Sequence, residues 1–167
     1  MELDFLVPLD SEILKYIQDL STQHLGSKIV LHTNDSVPDL DKINIAIIGV
    51  LDNRGDQNAK TNVDLTSIRK ELYGMFPGNW KASIADLGNV LAGNSKEDTY
   101  FAVKKITASL IKRKIIPIVI GGSQDITYSL YRAYDDLEQM VNLVAIDSKF
   151  DFGKENDVSK TNKDFLY

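Results

Sequence analysis

Apolar residues first repeat at helical spacing just after Pro8, where Ile13, Leu14, Ile17 and Leu20 share one face. Asp10 or Ser11 stands where an N-cap acceptor is needed, so a helix is expected to open there. Residues 26–42 are polar and broken by Pro38; they read as a connection with one short strand around residues 28–32. The strongest signal follows in residues 43–51, a β-branched run suited to a strand buried on both faces of a parallel sheet. It empties into a polar loop, residues 52–62, with Gly55 and three asparagines. A helix is expected over 64–73, ended by Phe76-Pro77-Gly78-Asn79, and a short strand over 83–87 stopping at Gly88.

Asn94 or Ser95 caps the next helix. Its first turn holds Glu97 and Asp98 and its last Lys112, Arg113 and Lys114, an order that complements the helix dipole. Val103, Ile106 and Leu110 form its buried seam. A strand over 115–120 runs into Gly121-Gly122, and a further helix places Ile126, Leu130, Ala133 and Leu137 on one side. Residues 141–146 read as another apolar strand ending at Asp147, and the chain turns polar after Gly153. Strands alternating with helices predict an α/β fold: right-handed crossovers, a mostly parallel sheet and helices on both faces. The carboxyl ends of such strands form the ligand-binding rim. Three segments reach it here: the loop from Asp52, the turn 121–125 and the strand end 147–151.

Composition narrows the chemistry. The 167 residues are 43% hydrophobic and 26% charged, the mix of one folded domain and not of a disordered tail. A net charge of −5 gives no electrostatic reason for a nucleic-acid or anionic-membrane partner. The absence of cysteine excludes disulfides, thiolate metal sites and cysteine nucleophiles. No basic-then-apolar leader and no apolar run of about 20 residues occur, so a cytoplasmic protein is expected.

Two rim segments could carry chemistry. At strand periodicity Asp147, Lys149 and Asp151 point the same way, and two carboxylates that close need a metal ion or an ammonium between them. A solvated charged turn is the plainer reading. The double glycine of Gly121-Gly122-Ser123-Gln124-Asp125 lets backbone approach a ligand, or else serves a tight turn that needs positive φ. No Gly-Lys-Ser/Thr and no Gly-x-Gly-x-x-Gly accompanies it, so a nucleotide site has no motif support.

Taken in order, these pieces resemble the arginase–agmatinase–formimidoylglutamase (ureohydrolase) family. The resemblance starts at residues 45–50, with their loop and Ile68-Arg69, and continues through Ala85-Asp86-Leu87-Gly88-Asn89-Val90, similar to a strand ending in Asp-Leu-Gly-Asp-Val. Residues 117–122 are similar to the approach to the family's Gly-Gly-Asp-His-Ser turn, and residues 144–151 to its Asp-Ala-His-x-Asp strand. The resemblance covers residues 43–153. It implies a three-layer α/β/α arginase-like fold, incomplete in this chain. It divides the chain into an N-terminal helix and connection, residues 1–42, and the first part of that domain, residues 43–167.

The family's chemistry uses two Mn²⁺ ions that bridge a water and lower its pKa, yielding hydroxide that attacks a guanidinium or formimino carbon. By the resemblance Gln124 stands in place of the first histidine ligand, with Ser123 in place of the preceding aspartate. Asp147 and Asp151 match two ligand aspartates, but Lys149 replaces the histidine between them. The family's further Ser-x-Asp-x-Asp ligand pair has no counterpart before Tyr167. An ammonium at Lys149 brings three donors and a positive charge where an imidazole would donate a lone pair. The expectation is a salt bridge from Lys149 to Asp147 and Asp151, and no metal cofactor; were the site functional, it would take Mn²⁺. His24 and His32 are expected to be surface or packing residues.

The leading reading is therefore a ureohydrolase-family protein that has lost its dinuclear site and acts without catalysis. The alternatives are an active metal-dependent C–N hydrolase of guanidino or formimino compounds and an unrelated small-molecule-binding α/β domain. A small guanidino or formimino compound is the ligand this implies. Family members often assemble into rings, which admits a homo-oligomer, though no patch marks its interface. Residues 162–167 read like the start of another helix, so the chain is expected to be part of a larger protein. Arg54-Gly55-Asp56 is read as chance, Trp80 with Tyr73 and Phe76 as a packing cluster, and Tyr128, Tyr131 and Tyr134 as a wet–dry helix boundary.

Overall fold

In this computed structural model, residues 2–56, 64–79 and 81–147 are described; Trp80, Lys149 and Asp151 lie outside them. The β-branched run forms the central strand β3 (Ile45–Val50), with Ala46 and Val50 fully buried. β4 (Ile84–Val90) pairs parallel on one side of β3, and β5 (Ile116–Gly121) pairs parallel on the other. The far side of β4 carries two short strands. β1 (Leu6–Val7) lies antiparallel to its end and β2 (Val30–Leu31) parallel to its start, so the sheet is mostly parallel with one reversed strand.

Side-chain alternation divides the core into two. Ala46, Ile48, Val50, Ala85 and Leu87 meet Val103, Ile106 and Leu110 of α3 (Lys96–Lys112) and Ile126 of α4 (Ile126–Asp135). On the opposite face Ile47 meets Ile13 of α1 (Ser11–Gln18) and Tyr73 of α2 (Thr66–Gly74), with Leu9, Leu25 and Ile29. Helices therefore cover both faces. Asp10 is the first N-cap, its side chain accepting from Ile13 N at 2.9 Å. Ser95, not Asn94, caps α3, closing a reciprocal box with Asp98. All three seam residues of α3 are 1% exposed.

Three expectations need correction. β4 does not stop at Gly88 but runs to Val90, because Gly88 takes φ 85° inside the strand and β3/β4 shift register between Ile47 and Gly49. A glycine there makes a bulge, not a terminus. Any side chain at Gly88 would strike the Val7 carbonyl oxygen. Residues 141–146 form no strand. None of the described strands pairs with them, and without a ladder partner an apolar run leaves its side chains in water: Val144 is 82% and Ile146 99% exposed. Tyr73 and Phe76 do not cluster either; Tyr73 is fully buried, whereas Phe76 is exposed and stacks on His24 with ring centres 5.0 Å apart. His32 is a packing residue, its Nδ1 2.9 Å from the Leu87 carbonyl. Among the tyrosines of α4, Tyr131 is 49% exposed, and Tyr128 and Tyr134 are half-buried.

Candidate functional site

The carboxyl ends of β3 and β5 are bound to each other by their loops. Asp52, the second residue past β3, accepts from Arg54 Nε at 2.9 Å, Arg54 Nη2 at 2.7 Å and Thr99 Oγ1 at 2.6 Å. Arg54 also reaches the carbonyls of Gly93 at 2.9 Å and Ser95 at 3.1 Å, fastening the loop to the start of α3. Burial works to raise the Asp52 pKa, but the bonds from Arg54 and Thr99 outweigh it and hold the carboxyl below its usual range. The Arg54-Gly55-Asp56 tripeptide is thus part of a rim loop whose arginine is already engaged within the fold.

That loop also meets the turn after β5. Ser123 N donates to the Asp52 carbonyl at 3.2 Å, and Gly55 N donates to Ser123 Oγ at 3.1 Å. Gly55 lies flat on the Asp125 carboxylate, leaving no room for a side chain. Asp125 is 1% exposed; the Tyr100 hydroxyl donates to its Oδ2, while its Oδ1 has no hydrogen-bond partner among the described residues. Burial, then the bond to Asp125, pushes the Tyr100 hydroxyl well above its ordinary range. Gly121 and Gly122 take φ 78° and 71°, the tight-turn requirement read from the sequence. A Cβ on Gly121 would stand 3.0 Å from the Val50 carbonyl oxygen.

Beneath the rim lies a second polar group. Arg69, on α2 and 2% exposed, reaches across to Asp86, Gly88 and Asn89 of β4. Tyr73, one helical turn on, donates its hydroxyl to Asp86 Oδ2. Sequence reading quoted Arg69, Asp86 and Asn89 within motifs but gave them no role. Asp52 and Asp125 lie in the expected rim segments without an assigned side-chain role, and Thr99 and Tyr100 carry no sequence signal. A recognisable signal existed for Asp52 alone, an acid ending a buried strand with an arginine two residues on.

Of the positions singled out for chemistry, Gly121, Gly122, Ser123, Gln124 and Asp147 are described. The Gln124 side-chain amide nitrogen donates to the Asp147 carboxylate, bringing together residues 23 apart in sequence. Lys149 and Asp151 fall outside the described residues, as does the expected ion pair among the three.

The profile of the Arginase family matches residues 43–164. The chain belongs to this family. No curated protein matches it. Among solved structures it is similar to a hypothetical agmatinase from Burkholderia thailandensis, with TM-score 0.65, 17% identity and coverage of 78% of this chain and 45% of that one. The formimidoylglutamase of Bacillus subtilis matches with TM-score 0.65, 17% identity and coverage of 78% and 44%. A formiminoglutamase of Trypanosoma cruzi solved with Mn²⁺ matches with TM-score 0.54, 19% identity and coverage of 66% and 39%. These likenesses establish an arginase-like fold. The chain spans less than half the length of each of these structures.

Membership in the arginase family raises the question of Mn²⁺. Among the described residues no group of three or more His, Cys, Asp or Glu side chains could hold a metal ion. Gln124 presents its amide nitrogen, a donor, to Asp147, and His32 is committed to a backbone carbonyl. The Asp52 carboxylate is occupied by Arg54 and Thr99. The described donor set does not fit a dinuclear manganese centre. No helix among these residues is long and apolar enough to cross a membrane.

Proposed function

We propose that this chain is a non-catalytic arginase-family member in which polar contacts among side chains replace the dinuclear metal site. The observation that carries the reading is the Gln124 amide donating to Asp147. That bond takes one lone pair of the Asp147 carboxylate, and it turns N–H hydrogens toward the acid where a ligand atom would offer electrons. The amino acid at 149 adds a second argument from residue type. An ammonium between Asp147 and Asp151 would offset one of their two negative charges, and beside Mn²⁺ it would be repelled. On this reading Lys149 bridges the two aspartates, and any guanidino or formimino compound bound at the rim is held without turnover.

The test grows the protein in manganese-rich medium and measures metal content by elemental analysis, with urea release from arginine or agmatine and formamide release from formimidoylglutamate. The expected result is substoichiometric Mn²⁺ and no release above a metal-free blank. Stoichiometric Mn²⁺ accompanied by turnover would make the chain an active C–N hydrolase and end the proposal.

A further inference from the structure

α3 turns one stripe of side chains to water. Glu97, Phe101 and Lys105 follow at four-residue spacing on its exposed side, so an acid, an aromatic ring and a cation stand in line along the helix. The ring has company. Phe5, closing the short 3₁₀ turn Glu2–Phe5, meets Phe101 edge-on with ring centres 6.0 Å apart. Even so, the two residues are 41% and 50% exposed. A helix face that serves only solvent carries polar side chains throughout, whereas this one has two phenylalanines at its middle.

The charges on either side of the rings are unspent. Glu97 joins no salt bridge among the described residues. Lys105 rests over the Phe101 ring, 5.5 Å from its centre, with no acid in contact, while its neighbour Lys104 is held by Asp136 at 2.8 Å. Beside Phe101, α3 and α4 leave a groove of about 310 Å³ that Tyr100 and Tyr128 also line, room in which a further aromatic side chain can bury.

The order of the stripe limits what can cover it. A helix rises about 1.5 Å per residue, which puts Glu97 and Lys105 about 6 Å to either side of Phe101. A second α3 laid parallel sets Glu97 against Glu97 and Lys105 against Lys105. Laid antiparallel about a two-fold axis at Phe101, it sets each Glu97 against Lys105 of the other copy, and ring against ring. A polypeptide of another sequence would need the same acid, ring and cation at the same spacing; a second copy has them by symmetry.

We propose that this face of α3 is a two-fold contact between copies of this chain, with Phe5 and Phe101 at its centre and two Glu97–Lys105 pairs at its rim. The contact is isologous, unlike the head-to-tail contacts that close a ring. It uses no residue of the metal reading.

The test measures the mass of the purified chain by light scattering over a dilution series, with circular dichroism to confirm folding; the expected mass is that of two copies. Glu97→Lys and Lys105→Glu each turn both pairs from attraction to repulsion, and each is expected to raise the dissociation constant about tenfold. Mixed in equal amounts, the two variants regain opposite charges at both pairs and are expected to associate as tightly as wild type. The 167 residues hold no cysteine, so Phe101→Cys is expected to give a disulfide-linked dimer on air oxidation, and Lys28→Cys, beside the core on the other face of the sheet, to give none. A single-copy mass at every concentration, an assembly indifferent to both charge swaps, or no recovery on mixing would overturn the proposal.

Discussion

Arg69 and Asp86 meet as a bidentate ion pair inside the protein: Nε to Oδ2 at 2.8 Å and Nη2 to Oδ1 at 3.1 Å, with the side chains 3% and 0% exposed. Further hydrogen bonds brace the pair. Arg69 Nη1 reaches Asn89 Oδ1 at 2.8 Å, and Gly88 N donates to Asp86 Oδ1 at 2.9 Å. Removing one partner strands the other charge. Arg69→Met is expected to cost about 3–5 kcal/mol in urea denaturation, and Arg69→Met with Asp86→Leu to recover most of it. A single-variant cost below about 1 kcal/mol would show that water reaches the pair.

Tyr73 and Tyr100 give the protein an alkaline limit. Burial, and then a neighbouring carboxylate, raises both hydroxyls far above the range of a free tyrosine. A raised folded-state pKa contributes stability that is complete below the unfolded value near 10 and is lost as pH climbs beyond it. Of the seven tyrosines, these two are expected to ionise only on unfolding, seen as a delayed step in absorbance at about 295 nm. Tyr73→Phe should shrink that step and cost about 1–3 kcal/mol at neutral pH, since Asp86 loses a donor.

Asp52 sets a limit at the acid end. Its pKa is lowered, so its stabilising contribution is present above the unfolded value near 3.9 and disappears as pH falls toward the folded one. Asp52→Asn is expected to lower stability at pH 7 and to flatten the loss of stability below about pH 4, measured by denaturation at a series of pH values. An unchanged acid slope would mean that other carboxylates carry it.

Gly55 and Gly88 are backbone requirements of different kinds. Gly88 combines φ 85° with a blocked Cβ direction, so Gly88→Ala meets both a left-handed penalty of about 1–2 kcal/mol and a backbone clash. Gly55→Ala meets the Asp125 carboxylate, a side chain with some freedom to turn. Thermal melts are expected to rank Gly88→Ala as the more damaging of the two.

Imidazoles placed at residues 124 and 149 probe the proposed absence of a metal site. Where a Ser-x-Asp-x-Asp ligand pair is supplied by the complete protein, Gln124→His with Lys149→His should bind Mn²⁺ about tenfold or more tightly than wild type in calorimetry, because two donors of N–H become two donors of electrons. Equal affinity in the two proteins would place metal binding outside residues 124 and 149.

Much of this architecture could be read from residue order. β3, α3 and their burial follow from local periodicity, and the turn at Gly121-Gly122 from its glycines. Where one residue type has two uses, residue order does not separate them: a glycine such as Gly88 suits a strand end, yet here it only bends the strand. The Arg69–Asp86 pair joins residues 17 apart, and the Asp125–Tyr100 contact joins a turn to another helix, so neither has a local signature. Residues 141–146 carry the composition of a strand, yet strand formation requires a neighbour that composition cannot name.

Leu6–Val7 and Val30–Leu31 share the outer flank of β4 end to end. That flank is shut by the amino-terminal residues themselves. Among the described strands β4 is thereby paired along both of its edges, whereas β5 is paired along one.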